Sequence, residues 1–131
     1  MAGLHVNGID LYYEVHGSGM PLVMLHGNGE DHTTFSTLCA ALQDRFQIFL
    51  FDTRGHGKST PVSEYHYSDM AQDMTEALIQ LFDGPIDLLG FSDGGIIALF
   101  LAIWYPQLVR RMILCGANYH PYGIKEEGRR D

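Results

Sequence analysis

The spacing of apolar residues changes rhythm along the chain, and each rhythm predicts an element. Residues 4–6 and 9–15 flank Asn7-Gly8, a two-residue signal for a tight hairpin turn. In the second arm Leu11, Tyr13 and Val15 alternate with Tyr12 and Glu14, so one face of that strand is expected to be buried. Residues 21–25 form a continuous apolar run, the pattern of a strand covered on both faces. Phe35, Leu38, Cys39 and Leu42 then fall at i, i+3, i+4 and i+7, which predicts a helix over 33–42. Residues 48–51 are another short apolar strand. A Gly-rich loop leads to Ser68, a residue able to cap a helix whose Met70, Met74, Ala77, Leu78 and Leu81 make one stripe. Gly84-Pro85 is expected to stop that helix. Residues 86–89 read as a strand, 94–105 as a helix ending before Pro106, and 109–114 as a last strand.

From Leu22 onward strands and helices alternate strictly. That order predicts an α/β fold with a mostly parallel sheet, helices on both faces and an antiparallel hairpin at the N-terminal side. One core is expected over residues 1–116. Residues 117–131 are polar, contain Pro121 and Gly123, and end in a run of charges, which reads as a solvated tail or the start of a surface helix.

Three motifs follow successive buried strands: His26-Gly27-Asn28-Gly29, Asp52-Thr53-Arg54-Gly55-His56-Gly57-Lys58-Ser59, and Gly90-Phe91-Ser92-Asp93-Gly94-Gly95. A lone Gly-x-Ser-x-Gly is common in turns; the same string between a predicted strand and helix, with two partners correctly placed upstream, is specific. Together the three resemble the α/β-hydrolase family, from the hairpin to about Leu114. The resemblance implies that Ser92 is a catalytic nucleophile on a sharp strand-to-helix turn, where Gly90 and Gly94 allow close approach of strand and helix. It implies an oxyanion hole made by the backbone N–H groups of Asn28 and Asp93. It implies attack on a small ester, thioester, lactone, amide or related substrate through an acyl-Ser92 intermediate, with no cofactor and no metal.

Neighbouring polar residues carry plainer readings. The Asp93 carboxylate is expected to be structural, since its side chain leaves the turn in another direction from Ser92. His26 is read as a brace for the first loop, and His56 as a residue holding the second loop with Asp52 and Arg54. Glu30, Asp31 and His32 are adjacent, and adjacent residues rarely converge on one ion, so they are read as a solvated loop. Cys39 and Cys115 are far apart and read as reduced packing residues, Met70 and Met74 as core.

Composition narrows the partners. A net charge of −8 leaves no basic footprint for phosphate contacts, so no nucleic acid is expected. The longest apolar run, 96–105, is too short to cross a bilayer, and the first residues lack a basic segment followed by an apolar one; a cytoplasmic protein is expected.

The family's acid and base lie on loops after later strands. Cys115-Gly116-Ala117-Asn118 has no carboxylate where some relatives place the acid, and His120 lies where relatives begin their lid, a poor match to the base. The reading is therefore the N-terminal part of the fold, ending after the strand that follows the serine helix, with 117–131 as a polar tail at the start of a lid. Loss of a triad histidine costs on the order of 10⁶ in turnover, so little activity is expected from the chain alone. The alternatives are a non-catalytic folded or dimerising module and one half of a split enzyme whose acid and base come from another chain. Strand 109–114 is expected to be an edge that invites self-association, partly blunted by Arg110 and Arg111.

Overall fold

The computed structural model describes residues 2–116; the tail over 117–131, with His120, lies outside the described residues. Six strands form one sheet: β1 (Ala2–Val6), β2 (Ile9–His16), β3 (Met20–Leu25), β4 (Phe46–Phe51), β5 (Ile86–Phe91) and β6 (Val109–Cys115). Their order across the sheet is β1-β2-β4-β3-β5-β6. β1 and β2 form the antiparallel hairpin, turned by Asn7 at φ 47° and Gly8 at φ 80°. β2 joins β4 antiparallel, and from β4 to β6 every pairing is parallel. The mixed sheet with its N-terminal hairpin is the predicted architecture.

Period-two alternation sorts the core. Val23, Leu25, Phe49, Phe51 and Leu88 pack against helices α2 (Tyr67–Leu81) and α3 (Asp93–Trp104), with Met74, Leu78, Ile97 and Leu101 filling the layer. The alternate residues Leu22, Met24, Ile48, Leu50 and Leu89 pack with Phe35 and Cys39 on the other face, where α1 (Ser36–Leu42) lies. Because β3 and β4 are covered on both sides, their sequences are apolar at consecutive positions.

Local readings needed correction at several points. The first helical segment is split into a 3₁₀ turn over His32–Phe35, capped by the Asp31 carboxylate, and then α1. Ser68 does not cap α2: the helix begins one residue earlier, behind His66 in extended conformation, so Ser68 lies within its first turn. Gly84-Pro85 does not end it either, since Phe82 has already left helical geometry. On β2 both Leu11 and Tyr12 are buried, while Val15 is exposed. The alternation fails because the loop after β4 covers the second face: Tyr12 N–H donates to Ser59 Oγ (2.9 Å), and Lys58 Nζ sits 4.8 Å above its ring.

β6 borders the sheet among the described residues, and Ile113 on it is 56% exposed. Its two arginines do more than guard an edge. The register passes from Ile86↔Val109 to Asp87↔Arg111, so Arg110 is an extra residue at a bulge. Both guanidinium groups consequently reach the buried Asp87 carboxylate, Arg110 at 3.1 and 3.0 Å and Arg111 Nη2 at 3.2 Å. Arg110 first, then Arg111, hold that carboxyl below its usual range against the opposing effect of burial. No helix among the described residues is long and apolar enough to cross a membrane.

Candidate active site

The three motifs meet at the carboxyl ends of β3, β4 and β5. Ser92 joins β5 to α3 with φ 56° and ψ −116°, a left-handed conformation that costs a non-glycine residue about 1–3 kcal/mol. Its neighbours explain how the turn is tolerated. A side chain at Gly90 would strike the Gly94 carbonyl, and one at Gly94 would strike the carbonyls of Leu25 and His26. Only hydrogen at both positions lets β5, α3 and the end of β3 come this close. Gly95 N–H donates to the Ser92 carbonyl and Ser92 N–H to the Cys115 carbonyl, each at 2.9 Å.

The loop after β3 faces this turn. A Cβ on Gly27 would lie 3.1 Å from Ser92 Cβ. Within the loop, Gly27 N–H donates to Glu30 Oε1 (2.8 Å), Glu30 N–H to the Gly27 carbonyl (3.2 Å) and Gly29 N–H to His56 Nε2 (3.0 Å). Among the described residues the Asn28 N–H is left without an acceptor. Asn28 Oδ1 accepts the Tyr65 hydroxyl at 2.6 Å. Asp93, at the first turn of α3, accepts the Tyr67 hydroxyl at 3.0 Å, which gives its carboxylate the expected structural tie.

His26 braces the loop as anticipated. Thr53 N–H donates to its Nε2 (3.0 Å), which leaves the hydrogen on Nδ1 to reach the Gly27 carbonyl (2.7 Å). Burial holds this imidazole below its ordinary range and so keeps it neutral. An open cleft of about 500 Å³ begins beside the same loop, lined by Gly29, Glu30, Asp31, His56 and Tyr65 among others. Ser92 is not part of its lining.

A sequence profile described as the alpha/beta hydrolase fold matches residues 20–130. The chain belongs to the alpha/beta hydrolase fold family. It is 34% identical to serine hydrolase BPHL of Mus musculus over 135 residues, covering 98% of this chain and 46% of that protein. Among solved structures, an esterase from Exiguobacterium antarcticum matches at TM-score 0.84 and 36% identity, over 89% of this chain and 45% of that one. A thermophilic esterase from Thermogutta terrifontis matches at TM-score 0.86 and 29% identity, over 99% of this chain and 52% of that one. The chain thus spans about half the length of these relatives.

In this member of the family the loop Glu30–His32 is not the solvated segment its composition suggested. Glu30 holds Gly27, Asp31 caps the 3₁₀ turn, and His32 Nδ1 lies 2.9 Å from Asp52 Oδ1 and its Nε2 3.3 Å from Glu14 Oε2. The fold also brings Asp52 to this trio, so that Asp31, His32 and Asp52 carry ligand-capable atoms within 4.8 Å. Those atoms already serve the loops: Asp52 Oδ1 accepts His32 N–H (2.6 Å), Oδ2 accepts Lys58 N–H (2.9 Å), and Asp31 Oδ1 accepts Thr33 N–H (2.9 Å). The Asp31 carboxyl is drawn below its usual range chiefly by the Thr33 hydroxyl and N–H. Arg54 turns away from the site to a near-ideal pair with buried Asp73, at 2.7 and 2.8 Å.

Two residues beside the site escaped sequence reasoning. Tyr65 has no motif around it, and Glu30 reads with its neighbours as a solvated loop; the contacts of Tyr65 run to Asn28, 37 positions away, and no local spacing carries them.

Proposed function

We propose that the chain supplies the nucleophile and oxyanion portion of a serine hydrolase acting on a small ester or lactone-like substrate. Ser92 Oγ attacks the acyl carbon and loses its proton to a base. The carbonyl oxygen becomes an oxyanion received by the N–H groups of Asn28 and Asp93. Collapse expels the alcohol, which takes up a proton, and leaves acyl-Ser92; water then hydrolyses it and restores the hydroxyl. One well-aimed oxyanion donor contributes about 2.7–4 kcal/mol to such a transition state. The observation that carries the reading is the opposition of a strained Ser92 to a loop in which the Gly27, Gly29 and Glu30 N–H groups are occupied while that of Asn28, between them, is not. The relatives described as esterases support the substrate class.

A second reading has its own observation. Among the described residues nothing hydrogen-bonds the Ser92 hydroxyl, so acid and base come from elsewhere or the chain is a folded module that turns nothing over. Among the described residues β6 lies at the sheet's edge, which offers a route for a complementing segment or second copy to join the sheet. A light-scattering mass of one chain over a wide concentration range would argue against a second copy.

The deciding experiment is labelling with a fluorophosphonate probe, read by intact mass, with Ser92→Ala as control. One adduct on the wild type and none on the variant is the expected result. Absence of adduct on a folded wild-type chain would sink the claim that Ser92 is activated in it.

A further inference from the structure

Between the first and second motif loops lies a pair of imidazoles that the proposed reaction does not use directly. Their ring centroids are 5.0 Å apart, and the Thr53 hydroxyl sits between them, 3.3 Å from His26 Nε2 and 3.2 Å from His56 Nδ1. Backbone groups decide where the hydrogens lie. Gly29 N–H can only donate, so His56 Nε2 accepts it; the ring hydrogen is then on Nδ1, where the Arg54 carbonyl accepts it at 3.0 Å. A Tyr65 ring at 4.9 Å covers His56, and its hydroxyl grips Asn28 Oδ1. Asn28 is thus held from both sides: its side chain by Tyr65, and the next peptide by His56.

We infer that His56, fixed as the neutral tautomer with hydrogen on Nδ1, is a positioning residue: with Tyr65 it sets the peptide orientation that aims the Asn28 N–H at the space before Ser92. The inference rests on the reading of Ser92 and Asn28 given above, and it assigns a task to a residue that touches no reacting atom. The geometry is demanding, because Nε2 must be bare. A hydrogen there would oppose the Gly29 N–H at 3.0 Å, two donors facing each other, and the loop would have to release. The titratable and charged groups around the ring are His26, Tyr65, and Glu30 and Asp31 across the cleft they share with it. On its own loop, Asp52 and Arg54 are committed to His32 and Asp73.

The test has one arm independent of chemistry. Long-range proton–nitrogen spectra of the histidine-labelled chain report which ring nitrogen carries hydrogen, and the expected pattern for His56 is hydrogen on Nδ1 alone. Hydrogen on Nε2 overturns the inference. Variants form the second arm: His56→Gln places an amide oxygen where Nε2 stood, whereas His56→Phe keeps a ring without an acceptor. Gly29 and Asn28 amide resonances should stay near wild type in the first and move in the second. Fluorophosphonate labelling should fall about 100-fold in His56→Phe, as for a reacting group misplaced by about 1 Å, and recover to within a few-fold in His56→Gln. A folded His56→Phe chain with unmoved amides and undiminished labelling would refute the assignment. Should the wild type itself take no label, the Ser92 reading fails, while the spectra still decide for or against His56.

Discussion

Two sides of one gap are built by different physics. The Ser92 side is fixed by steric exclusion: glycine at 90 and 94, a left-handed serine between them, and backbone carbonyls where any side chain would go. The Asn28 side is fixed by polar contacts, from Glu30, His26, His56 and Tyr65, each made by a replaceable side chain. The first kind of restraint tolerates almost no change and needs few residues. The second is graded, since one bond lost leaves three. The Ser92 side is therefore expected to fail abruptly under substitution, and the loop side by degrees.

The sharpest challenge to that contrast is Gly94→Ala. The added methyl meets the Leu25 and His26 carbonyls, which cannot swing aside as a flexible side chain would. A loss of about 3 kcal/mol or more in denaturant unfolding is expected, the upper end for overpacking, together with loss of Ser92 labelling. A variant as stable as wild type would mean that the close approach is soft. Next is Arg54→Ala, which strands the Asp73 carboxylate, 2% exposed, with Asn7 Nδ2 as its remaining side-chain donor. Breaking a buried pair typically costs 3–5 kcal/mol; with Arg54 partly exposed and Asn7 still present, about 3 is expected. Asp73→Asn in the same background should recover part of it, because the lone charge is removed. On the graded side, Glu30→Ala leaves the Gly27 N–H without its acceptor and should cost about 1 kcal/mol, with Glu30→Gln restoring most of it. A loss for Glu30→Ala as large as that for Gly94→Ala would erase the distinction.

What was legible in the sequence divides along the same line. Steric restraints leave local marks: Gly90, Ser92 and Gly94 are within five residues, and the apolar run of β3 announces a strand buried on both faces. The fold and family could be read from those marks. Polar restraints leave almost none, because their partners are remote. Tyr65 bonds Asn28 across 37 positions, Arg54 bonds Asp73 across 19, and Arg110 bonds Asp87 across 23. Glu30, Asp31 and His32 read as one solvated loop because adjacent polar residues rarely converge, yet each serves a different partner. Ser68 looked like a cap because its residue type suits one; the chain entering α2 had already adopted the extended geometry at His66, two residues sooner. Composition and spacing report what a residue can do, and contacts across the sheet ends decide what it does.

The smallest expected effect concerns pH, and it isolates one brace from the others. Burial holds His26 below its ordinary range, so the folded chain favours the neutral ring and the unfolded chain takes up the proton first, near about 6.5. Stability is therefore intact above that value and declines as pH falls from about 6.5 toward the lower folded-state value, by at most about 1.4 kcal/mol per pH unit. Glu14, lowered first by the Tyr12 hydroxyl, and Asp87, lowered first by Arg110, act with the same sign in a more acidic window, as pH falls through and below about 4. Denaturant midpoints between about pH 7.5 and 5.5 lie above the carboxylate window, so within it the His26 share is the part that a substitution at His26 removes. In His26→Gln, where the amide can still accept from Thr53 N–H but cannot be protonated, the decline over that interval should flatten. A variant that loses stability in parallel with wild type would place the pH sensitivity elsewhere and leave His26 as a brace without a proton to refuse.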